Sequence, residues 1–216
     1  SLRRARPLPV ACLGDLFIDV HLHAAAALPS WGADVSCSSV SLLPGGSSAN
    51  TARHLARLAA PRAVHLFSAA GDDALGDLLL RQLLAEGLLA APRRTIARLR
   101  GVPQSACVVL SGGADRAMVS CYTSTAATQP PAASLAARRW ALLHIGGYFS
   151  CPALHTAGLT ALCARLAAEG TLLSLDLQHD ASGEWVGRGA HLHALLPLVD
   201  VFLPSEAEAS AVAAAL

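Results

Sequence analysis

Pro44-Gly45-Gly46-Ser47-Ser48-Ala49-Asn50-Thr51-Ala52 is the stretch on which the reading of this chain turns. Two adjacent glycines run into an amphipathic helix predicted over residues 48–60, with Ala49, Ala52, Leu55, Ala56 and Ala59 at helical spacing and Pro61 closing it. Glycine lets the main chain approach a ligand with no Cβ in between. The Asn50 amide offers donors and an acceptor, which suits a ligand rich in hydroxyls. A glycine pair before a helix is common in loops, so its weight comes from its surroundings.

Short apolar runs at residues 10–14, 64–69, 142–146, 172–177 and 199–203 read as strands. Between them, 74–86 (ended by Gly87), 154–168 and 206–216 are helical in character. Strand and helix in alternation predict an α/β fold, a mostly parallel sheet with helices on both faces. Residues 31–43 and 106–122 break the rhythm. The first alternates and is rich in serine; the second is two runs split by Ser111-Gly112-Gly113-Ala114-Asp115, which predicts a hairpin. Both fit a small sheet standing off the main core.

A chain of 216 residues holds one substantial core, and no apolar run approaches the ~18 residues of a membrane span. Sixteen basic against fifteen acidic residues leave a net charge of +1, and Arg3, Arg4, Arg6 and the arginines from Arg53 to Arg62 form no basic patch, which argues against a nucleic-acid partner. Residues 1–7 are basic without an apolar core, so they read as a solvated arm or the tail of an organelle transit peptide rather than a secretory signal. A cytoplasmic location is expected, with an organelle as the alternative. Cys12, Cys37, Cys107, Cys121, Cys151 and Cys163 form no C-x-x-C pair and read as reduced, mostly buried thiols.

Taken in order, Gly14-Asp15-Leu16-Phe17-Ile18-Asp19, the 44–52 stretch, Ala70-Gly71-Asp72-Asp73-Ala74-Leu75-Gly76, Leu143-His144-Ile145-Gly146-Gly147-Tyr148-Phe149 and Pro204-Ser205-Glu206-Ala207-Glu208 resemble the PfkB (ribokinase-like) family of carbohydrate kinases. The resemblance runs along nearly the whole chain. It implies a three-layer α/β/α core with a small β lid formed around 31–43 and 106–122, all in a single domain over 1–216 that lacks the C-terminal part. It implies ATP and Mg²⁺ as cofactors, a sugar or nucleoside as substrate, and a homodimer formed through the lid.

On the resemblance, Asp19, Gly45, Gly46 and Asn50 bind the substrate hydroxyls. A carboxylate at the crevice beyond the first strand can accept from two neighbouring hydroxyls, and Asp15 is the weaker candidate there. Ser47 and Ser48 stand where ribokinases commonly carry a lysine, and Phe17 where some members place a polar contact; both departures point away from ribose. Ser205 and Glu208 occupy the place of the family's Asn-x-x-Glu motif, so they are expected on the nucleotide side with Glu208 reaching Mg²⁺ through water. An acidic helix start accounts for the same residues structurally.

Other candidates read as structural. Gly71-Asp72-Asp73 and Gly76 match no phosphate loop, and Asp73 is best placed to cap the 74–86 helix. Asp176 is balanced between a crevice role and a structural one, and Asp180 falls on the structural side. His21-x-His23 and His191-x-His193 lack a third ligand at recognised spacing, so no metal other than Mg²⁺ is expected. The family's Asp-Thr-x-Gly-Ala-Gly-Asp signature, which carries the catalytic base and a phosphate-holding glycine turn, is absent from residues 1–216. Two expectations follow: a portion of an ATP-dependent sugar kinase that is inactive alone, or a truncated protein that binds a sugar or nucleoside without catalysis.

Overall fold

The structure is a computed structural model that describes residues 8–25, 27–58, 63–112, 115–186 and 190–216. Its strands are of two kinds, and they form two sheets. β1 (Val10–Gly14), β4 (Val64–Gly71), β8 (Leu142–Gly146) and β9 (Leu172–Asp176) are nearly continuous in apolar or small residues. Such strands are stable only where both faces are covered. With β5 (Ile96–Leu99) and β10 (Val201–Phe202) at the edges they make a six-stranded parallel sheet in the order β10-β9-β8-β1-β4-β5.

Successive side chains of β1 enter different cores. Ala11 and Leu13 join Leu143, Ile145, Leu173 and Leu175 under α5 (Ala157–Ala168), which buries Leu159, Leu162, Cys163 and Leu166. The same layer takes Leu135 from α4 (Ala132–Ala136), Leu192 and Leu195 from α6 (His191–Leu195) and Val212 from α7 (Glu206–Ala215). Cys12 points to the opposite face, against Leu66, the alanine face of α1 (Ser47–Leu58) and Leu79 and Leu83 of α2 (Ala74–Glu86). A helical layer on each face of a parallel sheet is the expected three-layer core. The α2 boundaries agree with the sequence: Asp73 accepts from the Gly76 N–H at 2.9 Å, and Gly87 (φ 65°) closes the helix.

The second sheet contains β2 (Phe17–His23), β3 (Ser39–Gly45), β6 (Ala106–Gly112) and β7 (Asp115–Cys121) in the order β3-β2-β6-β7. β2 runs parallel to β6, and the outer pairs are antiparallel. This is the lid, and it corrects the sequence reading in two places. Residues 31–38 are irregular, so the first lid segment is confined to Ser39–Gly45. The strand at its centre, β2, was not anticipated as a strand. Its sequence nonetheless alternates with period two, with Ile18, Val20 and Leu22 on one face and Asp19, His21 and His23 on the other. The turn expected at Gly113 and Ala114 lies outside the described residues, as does the helix end at 59–62; α1 is described to Leu58.

The remaining differences are at ends and edges. Strand β4 reaches Gly71, the 199–203 run pairs only over Val201–Phe202, and the helix expected from 154 begins at Ala157 after a 3₁₀ turn at Pro152–Leu154. Among the described residues no helix is long and apolar enough to cross a membrane.

Candidate functional site

β1 lies at the point where the order of the main sheet reverses, with β8 on one side and β4 on the other. Open parallel sheets form a crevice at the carboxyl end of their strands at such a point. Here the crevice is roofed by the lid, because only Asp15 and Leu16 separate β1 from β2. The result is a cleft of about 490 Å³. Its floor comes from Asp15, Gly46, Ser47, Asn50 and Arg53, and its roof from the inward-facing residues of the lid: Phe17, Asp19, His21, Cys107, Val109, Met118 and Ser120. Register explains the roof. Asp19 lies opposite Leu43 and Cys107, Cys107 opposite Ser120, and Val109 opposite Met118, so all share one face.

The structure therefore brings Asp19, Gly46 and Asn50 to one cleft. Asp19 is not at the end of β1 but two residues into β2, reaching the crevice from above. Gly45 lies directly beneath it: a Cβ there would fall on the Asp19 carboxylate. A side chain at Gly45 would push the Asp19 carboxylate out of this position. Burial raises the Asp19 carboxyl above its usual range, against the pull of His21 and Arg53. The His21 ring stands 3.9 Å from it. Gly46 has φ +99°, and a Cβ there would press on the Asp15 carbonyl at 2.8 Å, so the turn into α1 needs glycine.

Asp15 proves more central than the sequence suggested. It is 3% exposed at the end of β1, and its carboxylate accepts from the Ser48 N–H at 2.8 Å in the first turn of α1. Burial pushes its pKa up to about 7; the Ser48 and Ser47 N–H groups work against that rise, and the charge of Asp176 adds to it. Gly147 (φ +66°) turns the chain immediately beside this carboxyl, where a side chain would collide with it. Asp176, at the end of β9, accepts from the Ser47 hydroxyl and from Gln178 Nε2 at 3.1 Å, tying β9 to the start of α1.

Elsewhere the side chains have structural partners. Asp180 accepts from Ser182 and from the Trp185 N–H within its own loop. His21 and His23 stack at 5.8 Å, and His23 Nε2 bonds the Ser41 hydroxyl at 2.9 Å. Among the described residues no group of three or more His, Cys, Asp or Glu side chains could hold a metal ion. Ser205 and Glu208 do not line the cleft. They form a capping box at the start of α7: Ser205 Oγ accepts from the Glu208 N–H at 3.3 Å, and Glu208 Oε2 accepts from the Ser205 N–H at 2.9 Å. Cys12, Cys107, Cys151 and Cys163 are buried, in keeping with their apolar surroundings, whereas Cys121 is exposed.

Sequence reasoning passed over Arg53, Tyr122 and Ser120. The signal for Arg53 was present, because residues three apart on a helix share a face and Asn50 is three residues before it. Tyr122 meets Phe17 edge to face at 5.6 Å, but that contact depends on a pairing between distant strands.

A parallel sheet with a helical layer on each face, and a β lid closing a crevice at the sheet's reversal, define a ribokinase-like α/β protein. The PfkB family carbohydrate kinase profile matches residues 9–216, and the chain belongs to that family. No curated protein matches it. Among solved structures it is similar to a ribokinase from Giardia lamblia (TM-score 0.72, 16% identity, covering 94% of this chain and 60% of that one). It is also similar to Arabidopsis thaliana ribokinase complexed with ribose and ATP (0.71, 18%, 95% and 62%). A third is fructokinase with bound ATP from Xylella fastidiosa (0.67, 20%, 96% and 64%). The chain thus spans about 60% of the length of the structures it matches.

Proposed function

We propose that the cleft is the acceptor site of an ATP-dependent carbohydrate kinase and that this chain forms its sugar-binding part. One observation carries the reading. Asp19 on lid strand β2 and Asn50 on helix α1 face the same roofed cleft together with the bare main chain at Gly46. An ionised carboxylate accepts from two neighbouring hydroxyls, and the amide donates to a lone pair on a further ligand oxygen. That set suits the polyol of a sugar or nucleoside. The ribose and ATP named for the Arabidopsis relative support it. Phosphoryl transfer needs in addition a nucleotide, charge stabilisation and a group that accepts the hydroxyl proton.

Calorimetric titration with ribose, fructose and adenosine tests the reading. Asp19→Ala and Asn50→Ala should each weaken binding of the preferred ligand by about 1–3 kcal/mol, roughly 5- to 150-fold. Nucleotide affinity should stay nearly unchanged. Equal losses for sugar and ATP would show that the cleft is not a dedicated acceptor site.

We place the nucleotide near the start of α7. Glu208 Oε2 is held by the cap, while Oε1 makes no protein hydrogen bond among the described residues and is free to face a hydrated Mg²⁺. Mg²⁺, when bound, neutralises phosphate charge; Glu208 would orient its water shell. Glu208→Gln keeps the capping box and removes only the charge. It should reduce the Mg²⁺ dependence of ATP binding without lowering the melting temperature by more than a few degrees. Unchanged Mg²⁺ dependence would remove Glu208 from that role. The absence of the Gly-Ala-Gly-Asp signature from residues 1–216 favours a second reading, sugar binding without catalysis, for this chain acting alone. A cytoplasmic location accords with either reading.

A further inference from the structure

Arg53 stands three residues after Asn50 on α1, and their side chains meet. Its Nη1 donates to Asn50 Oδ1 at 3.1 Å and to the Pro44 carbonyl at 3.0 Å. The other edge of the same guanidinium is forked onto Glu86 at the end of α2, with Nε 2.8 Å from Oε2 and Nη2 on Oε1. The two side chains are only 15% and 23% exposed, so this is a partly desolvated, bidentate pair rather than a loose surface ion pair. Glu86 therefore sets the plane of the guanidinium, and the guanidinium sets what lies on its far edge.

A guanidinium has donors and no acceptor. The Asn50 oxygen must face it, which fixes an amide orientation that is otherwise free to flip. The Nδ2 group is left over. It makes no protein hydrogen bond among the described residues, and Asn50 lines the cleft.

We propose that Arg53 is a positioning residue that presents Asn50 to the ligand as a hydrogen-bond donor only, so that the cleft selects a polyol offering an acceptor at that point while its neighbouring hydroxyl donates to Asp19. The proposal rests on the acceptor-site reading above. Arg53 does not need to touch the ligand; it acts through Asn50.

Two measurements on the full chain test this. In ¹⁵N–¹H spectra without ligand, the two Asn50 Nδ2 protons should be sharp and inequivalent, and Arg53→Met should broaden or shift them strongly. In titrations with ribose, fructose and adenosine, Arg53→Met should weaken the preferred ligand roughly tenfold. Combining it with Asn50→Ala should cost no more than Asn50→Ala alone, because an indirect residue has nothing left to act through. If Arg53→Met does not fold, Arg53→Lys serves: it keeps the charge but cannot span Asn50, Pro44 and Glu86 together, so it should show the same changes in the amide signals. Undisturbed Asn50 signals in either variant, or additive losses in the double variant, would overturn the assignment. A wild-type chain that binds none of the three ligands would overturn the acceptor-site reading instead, and the amide spectra would still decide whether Arg53 holds Asn50.

Discussion

In the Asp15→Asn variant, the difference in unfolding free energy from the wild type should grow in the variant's favour by about 4 kcal/mol as pH rises from 4 to 7.5. The sign follows from protons bound. In the unfolded chain Asp15 loses its proton near the ordinary carboxyl value of 3.8, whereas in the fold burial holds the proton up to about 7. Between those values the native state binds more protons, so raising the pH destabilises it, and the full penalty is reached only above pH 7. Asparagine keeps an oxygen to accept from the Ser48 N–H but cannot ionise. Asp19, also raised by burial, tilts the stability curve the same way, while His144 and His65, both lowered by burial, tilt it oppositely. The difference between the two proteins cancels these. Urea unfolding at a series of pH values reads it, and parallel curves would mean that Asp15 titrates as it does in an open chain.

The 216-residue chain should not show multiple turnovers in an ATP-consumption assay with a panel of sugars and nucleosides. Among the described residues, Asp19, Asn50 and a glycine turn line the cleft, and residues 1–216 contain no match to the family's base and phosphate-holding glycines. Lack of a general base costs on the order of 10²–10⁴-fold, and lack of anion-binding donors adds a comparable factor. Together these would bring the rate close to a no-protein control. Sustained, protein-dependent ATP consumption that Asp19→Ala abolishes would show that the machinery lies within these residues, with Asp15 the first group to examine. A clear result either way separates the two readings of the chain, because sugar binding alone does not.

Much of this fold was open to the sequence because its strands and helices declare themselves locally. Residues 74–86 carry their own start and stop in Asp73 and Gly87, and the 142–146 strand is bounded by glycine. The lid was less legible. Its strand β2 alternates Ile18, Val20 and Leu22 with Asp19, His21 and His23 but begins only two residues after β1, so no turn signal in the sequence separates it from the strand before. Gly45, Gly46 and Asn50 were visible as a motif. Asp15 was undervalued because burial, the cause of its raised pKa, depends on Gly147 and Ser48 arriving from elsewhere in the chain. Arg53 could be placed on the Asn50 face of its helix, but its other partner, Glu86, lies on the next helix and is not readable from that spacing.

The parallel pairing of β2 with β6 also bears on how the molecule is made. Ile18 meets Ala106, so the middle of the lid joins segments separated by all of α1, β4, α2 and β5. As the chain leaves the ribosome, β2 and β3 emerge early and can pair with each other, but the edge of β2 that β6 will occupy stays open until residue 112 has been synthesised. An open strand edge bearing Val20 and Leu22 is a template for the wrong partner, and pairings between distant segments are slow to close. The roof of the cleft therefore cannot close before β6 has been synthesised. The interval before it closes is when a nascent chain would most need shielding from its neighbours.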